Sequence, residues 1–218
     1  MIRAVLFDMD GLMFDTEKAS DRAWRNMSME TGIPISDEFL KSLKGRTRKD
    51  CSLLMKKQWG ENVNLEEIRK KYQIYVERDR KENGFIIKKG LRKLLDFLKT
   101  NQYIIGLATS TSQKKAEKYL REGEVEGYFN EKVYGDKICK GKPNPDIYLA
   151  CAKACGCLPE ECLVLEDSPN GILAGYRAGC HVIMIPDCIL PSDKERKLVD
   201  AIFPDLEYVI SYLCDIRE

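Results

Sequence analysis

The sequence of 218 residues predicts an α/β fold with a doubly wound, mainly parallel sheet and a small helical domain inserted after the first strand. Four consecutive apolar residues, Ala4–Phe7, are typical of a strand that is buried on both faces. From about residue 91 onward, short apolar segments alternate with helical patterns, which indicates a parallel sheet. Between about residues 16 and 82 the pattern is helical throughout. We therefore predict a core of residues 1–14 and 86–218 and a helical cap of residues 15–85.

The cap is predicted to contain four helices. Thr16 is a candidate N-cap of the first helix and Asn64 of the fourth, since both side chains can accept a hydrogen bond from a backbone N–H. Gly32 and Pro34 are expected to end the first helix. The predicted helices span about residues 16–31, 36–43, 49–58 and 64–82.

The core is predicted to contain five more strands, which alternate with helices. Asn144 is expected to cap the helix that begins near Pro145, a residue suited to a first helical turn. The strands are predicted at about residues 103–108, 132–134, 163–165, 182–185 and 201–203. The helices are predicted at about residues 91–100, 113–121, 145–154 and 170–178, with a terminal helix after the last strand.

Composition gives no global signal for a nucleic acid polymer or a membrane as partner. The 36 Lys and Arg residues nearly balance the 35 Asp and Glu residues, which leaves a formal net charge of +1. No apolar run reaches the roughly 18 residues that a membrane-spanning helix needs. The first residues lack the pattern of a signal peptide, so we expect a cytoplasmic protein.

The cysteine and histidine content limits the kinds of catalytic and metal sites that the chain can form. Nine cysteines in a chain of this length are expected to be reduced. Cys151 and Cys155 lie four residues apart on a predicted helix, which could seed a zinc site, although the spacing matches no common zinc motif and small apolar packing is the alternative. The only histidine, His181, is more typical of a strand edge than of a catalyst. Ser-His and Cys-His catalysis are therefore excluded, as are metal sites built from histidine.

Two carboxylates, Asp8 and Asp10, follow the first strand and precede Gly11. Close carboxylates repel each other and an unpaired buried carboxylate is costly, so the pair favours a bound cation or a catalytic role. Gly11 permits a sharp turn and a close approach to a ligand. An EF-hand calcium loop is excluded because it requires glycine at its sixth position, and here glycine is fourth. A solvated turn remains the alternative.

Chemically active side chains also follow the later strands, and the carboxyl ends of parallel strands meet at one edge of a sheet. Thr109 begins a run of hydroxyl residues that can hold a phosphate, with an ordinary N-cap as the alternative. Lys142 precedes a predicted helix, where it is either a phosphate-binding cation or a solvated lysine. Glu166 and Asp167 end a further strand and offer the oxygen ligands that Mg²⁺ prefers.

The order of these motifs resembles the signature of the haloacid dehalogenase-like (HAD) hydrolase superfamily, over essentially the whole chain. The segments Asp8–Leu12 with Phe14–Thr16, Gly141–Tyr148 and Leu165–Gly171 are similar to the subgroup with a helical cap directly after the first motif. That subgroup includes β-phosphoglucomutase, sugar-phosphate phosphatases and pseudouridine-monophosphate phosphatases. The resemblance implies a Rossmann-like core, Mg²⁺ as cofactor and a small phosphorylated metabolite as partner.

The resemblance also implies a role for each residue of these motifs. Asp8 is expected to be the nucleophile that forms an aspartyl-phosphate. Asp10 is expected to protonate the leaving oxygen and then to deprotonate the attacking water. Thr109 and the N–H of Ser110 would hold the transferring phosphoryl group, and Lys142 would neutralise its charge together with Mg²⁺. The implied metal ligands are Asp8, the backbone carbonyl of Asp10, Asp167, and Glu166 directly or through water.

Within the family, the acid at Asp10 favours phosphoryl transfer, since true dehalogenases lack an acid at that position. The mutase pattern has a histidine where this chain has Ser20, which weakens a mutase activity of the β-phosphoglucomutase type without excluding it. A non-catalytic module that binds a phosphometabolite is the third hypothesis. Arg48 and then Arg46 are the cap candidates for substrate binding, with a solvated basic segment as the alternative. We predict a phosphomonoester hydrolase that is a monomer or a weak dimer.

Overall fold

The computed structural model describes residues 1–43 and 48–216. The chain separates into two compact units, Met1–Phe14 with Ile87–Glu218 and Asp15–Ile86. The predicted boundaries assign Ile86 to the core, whereas this division assigns it to the inserted unit.

The larger unit is built on one six-stranded sheet. Its strands are β1 (Ala4–Phe7), β2 (Ile104–Thr109), β3 (Glu131–Tyr134), β4 (Cys162–Glu166), β5 (His181–Met184) and β6 (Ala201–Ile202). The order across the sheet is β3-β2-β1-β4-β5-β6, and every neighbouring pair is parallel. The predicted α/β fold with a doubly wound parallel sheet is confirmed.

The register of the sheet places the first strand at its centre. Phe7 pairs with Leu107 of β2 on one side and with Leu165 of β4 on the other. The backbone N–H of Asp8 then donates to Leu165 O at 3.1 Å. Because β1 and β4 end at the same level, Asp8 and Glu166 emerge next to each other at the carboxyl edge of the sheet.

Helices account for most of the remaining described residues. Those of the inserted unit are α1 (Thr16–Thr31), α2 (Asp37–Leu43), α3 (Arg48–Trp59) and α4 (Leu65–Asn83). Those of the larger unit are α5 (Leu91–Thr100), α6 (Gln113–Glu122), α7 (Asp146–Ala154), α8 (Pro169–Ala178), α9 (Asp193–Arg196) and α10 (Glu207–Asp215). Within the described ranges, no helix has both the length and the apolar character needed to span a membrane.

Helices α7 and α8 pack against the sheet and bury one of its faces. Leu6 and Val164 on that face are fully buried, together with Tyr148 and Cys151 of α7. Burial of a Leu or Val side chain of this kind contributes about 2 kcal/mol to folding. This packing fixes α7, and with it the loop that carries Lys142, against the strands that carry the acids.

The inserted unit has an apolar core of its own. Trp24 and Met27 of α1 are buried in it with Tyr75 and Val76 of α4. The ring of Tyr72 stacks on Trp24 with 4.2 Å between the centroids. The helical periodicity read from the sequence therefore marks the faces that α1 and α4 turn toward each other.

Two of the three predicted N-caps were wrong. Asp15 occupies the N-cap position of α1, and no side-chain hydrogen bond caps that helix. Pro145 occupies the N-cap position of α7, and Asn144 instead donates from Nδ2 to Gly141 O at 3.0 Å. The prediction for α4 is confirmed, because Asn64 Oδ1 accepts from Glu67 N at 3.1 Å. Local sequence gives several candidate caps, and the backbone path decides which one is used.

Candidate active site

The carboxyl edge of the sheet carries a buried ion pair. Asp8 directly follows β1 and Lys142 lies in the loop before α7, and each is 7% exposed. Lys142 Nζ donates to Asp8 Oδ1 at 2.5 Å. Removing the Lys142 charge would leave Asp8 buried without its cation, so the state of Asp8 is strongly coupled to that of the lysine.

Glu166, the last residue of β4, is fully buried beside this pair. Its Oε1 accepts hydrogen bonds from Lys142 Nζ at 2.6 Å and from the hydroxyl of Tyr148 at 2.7 Å. Its Oε2 accepts from the backbone N–H groups of Asp167 and Ser168 and from the Ser168 hydroxyl. Both oxygens are thus engaged by protein groups. This arrangement favours Glu166 as the residue that holds Lys142 in place rather than as a direct metal ligand.

The protonation equilibria of these three groups follow from burial and mutual contact. Burial raises the pKa of Asp8 from 3.8 to about 8, against the lowering effect of Lys142. Burial lowers the pKa of Lys142, but the Asp8 and Glu166 carboxylates more than compensate, and the net shift is upward. Burial also opposes ionisation of Glu166, yet its hydrogen bonds from Lys142 and Tyr148 hold its pKa below the ordinary value. Lys142 therefore stays charged, whereas burial disfavours ionisation of Asp8.

Asp10, the second acid of the first motif, is held by a residue that follows β2. The Thr111 hydroxyl donates to Asp10 Oδ2 at 2.6 Å. The backbone N–H of Thr111 donates in turn to Thr109 Oγ1 at 3.1 Å, and Thr109 is 1% exposed. Since Thr109 Oγ1 accepts this bond, its own proton remains for another acceptor, such as a phosphoryl oxygen.

Asp167 completes an acidic group at this edge. Among the described residues, Asp8, Glu166 and Asp167 are the one set of potential metal-ligating side chains whose ligand atoms lie within 4.8 Å of one another. Gly11, at φ +85°, passes so close that a Cβ there would lie 2.2 Å from Asp167 Oδ2. Glycine is therefore required where the turn after β1 meets this carboxylate. An all-oxygen donor set of this kind suits Mg²⁺.

Comparison with known families agrees with this geometry. A sequence model of the haloacid dehalogenase-like hydrolases matches residues 5–185. The chain belongs to the haloacid dehalogenase-like hydrolase family. The matched range runs from the second residue of β1 to the end of β5 and includes every acid and the lysine of the site.

Individual members of the HAD family resemble this chain over most of their length. The phosphorylated carbohydrates phosphatase of Thermotoga maritima is 32% identical over 188 residues, which cover 84% of each chain. Hexitol phosphatase A of Escherichia coli is 30% identical and covers 95% of this chain and 93% of its own. The crystal structure of β-phosphoglucomutase from Clostridium difficile has a TM-score of 0.79 at 25% identity, covering 99% of this chain and 96% of its own. The chain is an enzyme of this HAD family, a phosphoric monoester hydrolase.

The structure of this HAD phosphatase brings most of the predicted site residues to one edge. Asp8, Lys142, Glu166 and Asp167 are buried together. Asp10 lies just after β1 and is held by Thr111. Ser110 directly follows β2, next to Thr109, and is exposed. Arg46 and the side chain of Arg48 lie outside the described residues, so their roles stay predictions.

Two residues of the site were missed by sequence reasoning. Tyr148 donates to Glu166 and also presents its ring face to Lys142, with Nζ 4.8 Å from the ring centroid. Thr111 holds Asp10. A signal existed for both, since Tyr148 lies six residues after the motif lysine and Thr111 is the third residue of the hydroxyl run. The neighbouring residues do not explain why either side chain is polar, because the hydrogen-bond partners of Tyr148 and Thr111 are distant in the sequence.

Several cysteines of this HAD phosphatase lie in its apolar core. None of the nine cysteines is in a disulfide. Cys151, Cys155 and Cys162 are buried in the apolar core beneath the sheet. Among the described residues, no three cysteines have sulfur atoms close enough together to share an ion. These side chains therefore act as small apolar residues.

Proposed function

We propose that this HAD phosphatase is a Mg²⁺-dependent phosphomonoester hydrolase of small phosphorylated metabolites that acts through an aspartyl-phosphate on Asp8. The observation that carries the proposal is the buried contact of 2.5 Å between Lys142 Nζ and Asp8 Oδ1. It places a permanent cation against a carboxylate at the strand edge where open α/β sheets bind ligands. A phosphate dianion approaches a carboxylate only where cations offset their repulsion.

The donor set supports Mg²⁺ as the cofactor. Asp8, Asp167 and the backbone carbonyl of Asp10 would hold the ion, with Glu166 behind them as the partner of Lys142. When bound, the ion would neutralise charge on the phosphoryl group and on the attacking carboxylate. The close approach of Gly11 to Asp167 supports this arrangement, because it leaves no room for a side chain between the turn and the carboxylate.

The chain's own residues supply the two steps of hydrolysis. The Asp8 carboxylate attacks phosphorus, the ester P–O bond breaks, and Asp10 gives a proton to the leaving alcohol. A water molecule then attacks the phosphorus of the aspartyl-phosphate, Asp10 takes its proton, and inorganic phosphate leaves. Thr109 Oγ1 and the N–H of Ser110 hold the phosphoryl oxygens throughout. Lys142 offsets the negative charge in both steps.

Sugar phosphates are the proposed substrate class, ahead of nucleotide-like esters. The relatives that cover most of this chain include a phosphatase of phosphorylated carbohydrates and a hexitol phosphatase.

A mutase of the β-phosphoglucomutase type is the second candidate function. It is favoured by the likeness to the β-phosphoglucomutase structure of Clostridium difficile over 99% of this chain. It is disfavoured at Ser20, where the mutase pattern has histidine. Ser20 Oγ accepts a hydrogen bond from the Tyr72 hydroxyl at 2.8 Å, so the position is tied into the interior of the inserted unit.

The experiment is phosphate release from a panel of sugar phosphates, hexitol phosphates, nucleotides and pseudouridine monophosphate. Each compound is assayed with Mg²⁺ and with EDTA, and the Asp8→Asn variant is the control. We expect metal-dependent release that is concentrated on one or two sugar or hexitol phosphates. Release that persists in EDTA would contradict the metal. Conversion of glucose 1-phosphate in the presence of a bisphosphate, without phosphate release, would establish the mutase instead.

We further propose a cytoplasmic enzyme that works as a monomer or weak dimer on this small metabolite. The near-zero net charge of +1 gives it no electrostatic bias toward nucleic acid polymers or anionic membranes. Sedimentation at two protein concentrations tests the oligomeric state. A tight assembly that does not dissociate on dilution would contradict it.

A further inference from the structure

We propose that Thr111 is a positioning residue that orients Asp10 for proton transfer to the leaving group. The inference deepens the proposed function and rests on it, because it concerns the acid of the hydrolytic reaction. Its starting point is the hydrogen bond of 2.6 Å from Thr111 Oγ1 to Asp10 Oδ2, between residues that are 101 positions apart in the sequence.

This hydrogen bond distinguishes the two oxygens of the Asp10 carboxyl group. A threonine hydroxyl carries one proton, and here it is donated to Oδ2. Oδ2 is thereby engaged as an acceptor, and Oδ1 becomes the oxygen that carries the transferable proton. The same bond limits rotation of the carboxyl group about its last torsion, which is otherwise broad. Thr111 thus selects both the oxygen and the direction of proton transfer.

Thr111 can hold Asp10 because its own backbone is held on both sides. Its N–H donates to Thr109 Oγ1 at 3.1 Å, and its carbonyl accepts from Gly135 N at 3.1 Å. The first bond ties Thr111 to the residue proposed to grip the phosphoryl group. The second ties it to the segment that follows β3. Asp10 is therefore connected to Thr109, the residue proposed to hold the phosphoryl group, through one short, fixed loop.

Loss of the hydrogen bond from Thr111 to Asp10 should affect substrates with different leaving groups to different extents. An alkoxide leaves only with a proton, so the ester of an alcohol depends on a well-oriented Asp10. A nitrophenolate is stable without a proton, so its departure depends little on the acid. Loss of the Thr111 hydroxyl should therefore harm alkyl phosphates more than aryl phosphates. A general loss of folding or of metal binding would harm both alike.

The test compares Thr111→Val, Thr111→Ser and Ser112→Ala in the full-length protein with Mg²⁺. Valine preserves the shape of threonine without its hydroxyl, and serine restores the hydroxyl. Ser112 is the matched control, because it follows in the same loop, is exposed and makes no side-chain cap bond to α6. For each variant, kcat/KM is measured for 4-nitrophenyl phosphate and for the sugar phosphate that the panel shows to react fastest. This constant reports the step in which the leaving group departs.

We expect Thr111→Val to lose about tenfold or more in kcat/KM for the sugar phosphate and less than about threefold for the nitrophenyl ester. Thr111→Ser should recover most of the loss, and Ser112→Ala should match wild type on both esters. Equal losses on both esters, or no loss on either, would overturn the role of Thr111 while wild-type turnover upholds the proposed function. Failure of the wild-type protein to cleave any ester would overturn the proposed function and, with it, the role of Thr111.

Discussion

Lys142 Nζ contacts Asp8 Oδ1 at 2.5 Å across 134 residues of sequence. The contact is buried, and Lys142 is shared with Glu166 at 2.6 Å. Lys142 therefore bridges the two central strands of the sheet, β1 and β4, through the residues at their carboxyl ends. Because charges in this environment are costly when unpaired, the position of Asp8 depends on the lysine as much as on its own strand.

Asp8→Asn should abolish phosphatase activity. Asparagine keeps the shape of the side chain but lacks the carboxylate that attacks phosphorus. The measurement is phosphate release with the best substrate of the panel, alongside Asp96→Asn as the control. Asp96 is exposed on α5, where it accepts a hydrogen bond from Tyr128. Turnover by Asp8→Asn above a tenth of wild type would contradict the assignment of the nucleophile.

The stability of metal-free protein should depend on pH through Asp8. Its pKa is raised by burial from 3.8 to about 8, so the folded state binds the proton more tightly than the unfolded state does. Between these values the free energy of unfolding contributed by Asp8 falls as the pH rises. Asp8→Asn lacks this dependence. Its melting temperature minus that of wild type, measured in EDTA, should therefore increase from about pH 5 to about pH 8. A difference that stays constant or decreases over this range would contradict the raised pKa of Asp8.

Tyr148→Phe should weaken the buried network without destroying it. Phenylalanine keeps the ring beside Lys142 but removes the hydroxyl that donates to Glu166 Oε1 at 2.7 Å. A hydrogen bond to a charged group contributes about 1.5–3 kcal/mol, and Lys142 still satisfies the same oxygen, so we expect a loss of about 1–2 kcal/mol. Denaturant unfolding measures it, and kcat should fall a few-fold.

Tyr176→Phe is the matched control for Tyr148→Phe, since Tyr176 lies on α8 and is 53% exposed. It should change neither stability nor kcat. If Tyr148→Phe behaves like this control, the hydroxyl of Tyr148 does not support Glu166.

Gly171→Ala should destabilise the protein and impair activity. A Cβ at Gly171 would lie 1.7 Å from Glu166 Oε1, and the fully buried carboxylate could move away only by giving up its hydrogen bonds to Lys142 and Tyr148. Overpacking of this kind costs about 1–3 kcal/mol. Alanine is otherwise the better helix former in α8, so a loss of stability would have to come from the steric conflict.

Gly127→Ala is the control for Gly171→Ala, because a Cβ at Gly127 would meet no atom within 4 Å. Thermal melting and phosphate release are measured for both variants. Equal behaviour of the two would show that Glu166 tolerates displacement, and its proposed role in holding Lys142 would then fail.

Prediction from sequence succeeded where the signal is local. The run Ala4–Phe7 identified a buried strand, and the alternation of strands and helices identified the parallel sheet, because burial on one or both faces imposes a period on the sequence. Asp8 and Lys142 were singled out because charged residues at strand and helix ends stand out in the sequence, and their catalytic roles stay predictions. The N-caps of α1 and α7 were predicted wrongly, since several adjacent residues can serve as caps and only the backbone path selects one.

The sequence by itself determined the fold class, the family and the acids, the lysine and the hydroxyl residues proposed for catalysis. It did so because hydrophobic periodicity and short motifs are properties of neighbouring residues. Only the tertiary structure decided which of those groups touch. It turned Glu166 toward Lys142 and Tyr148, and it brought Thr111 to Asp10. These contacts depend on how the parallel strands align and on how α7 packs against them. Both are relationships between distant segments, which no local sequence pattern encodes.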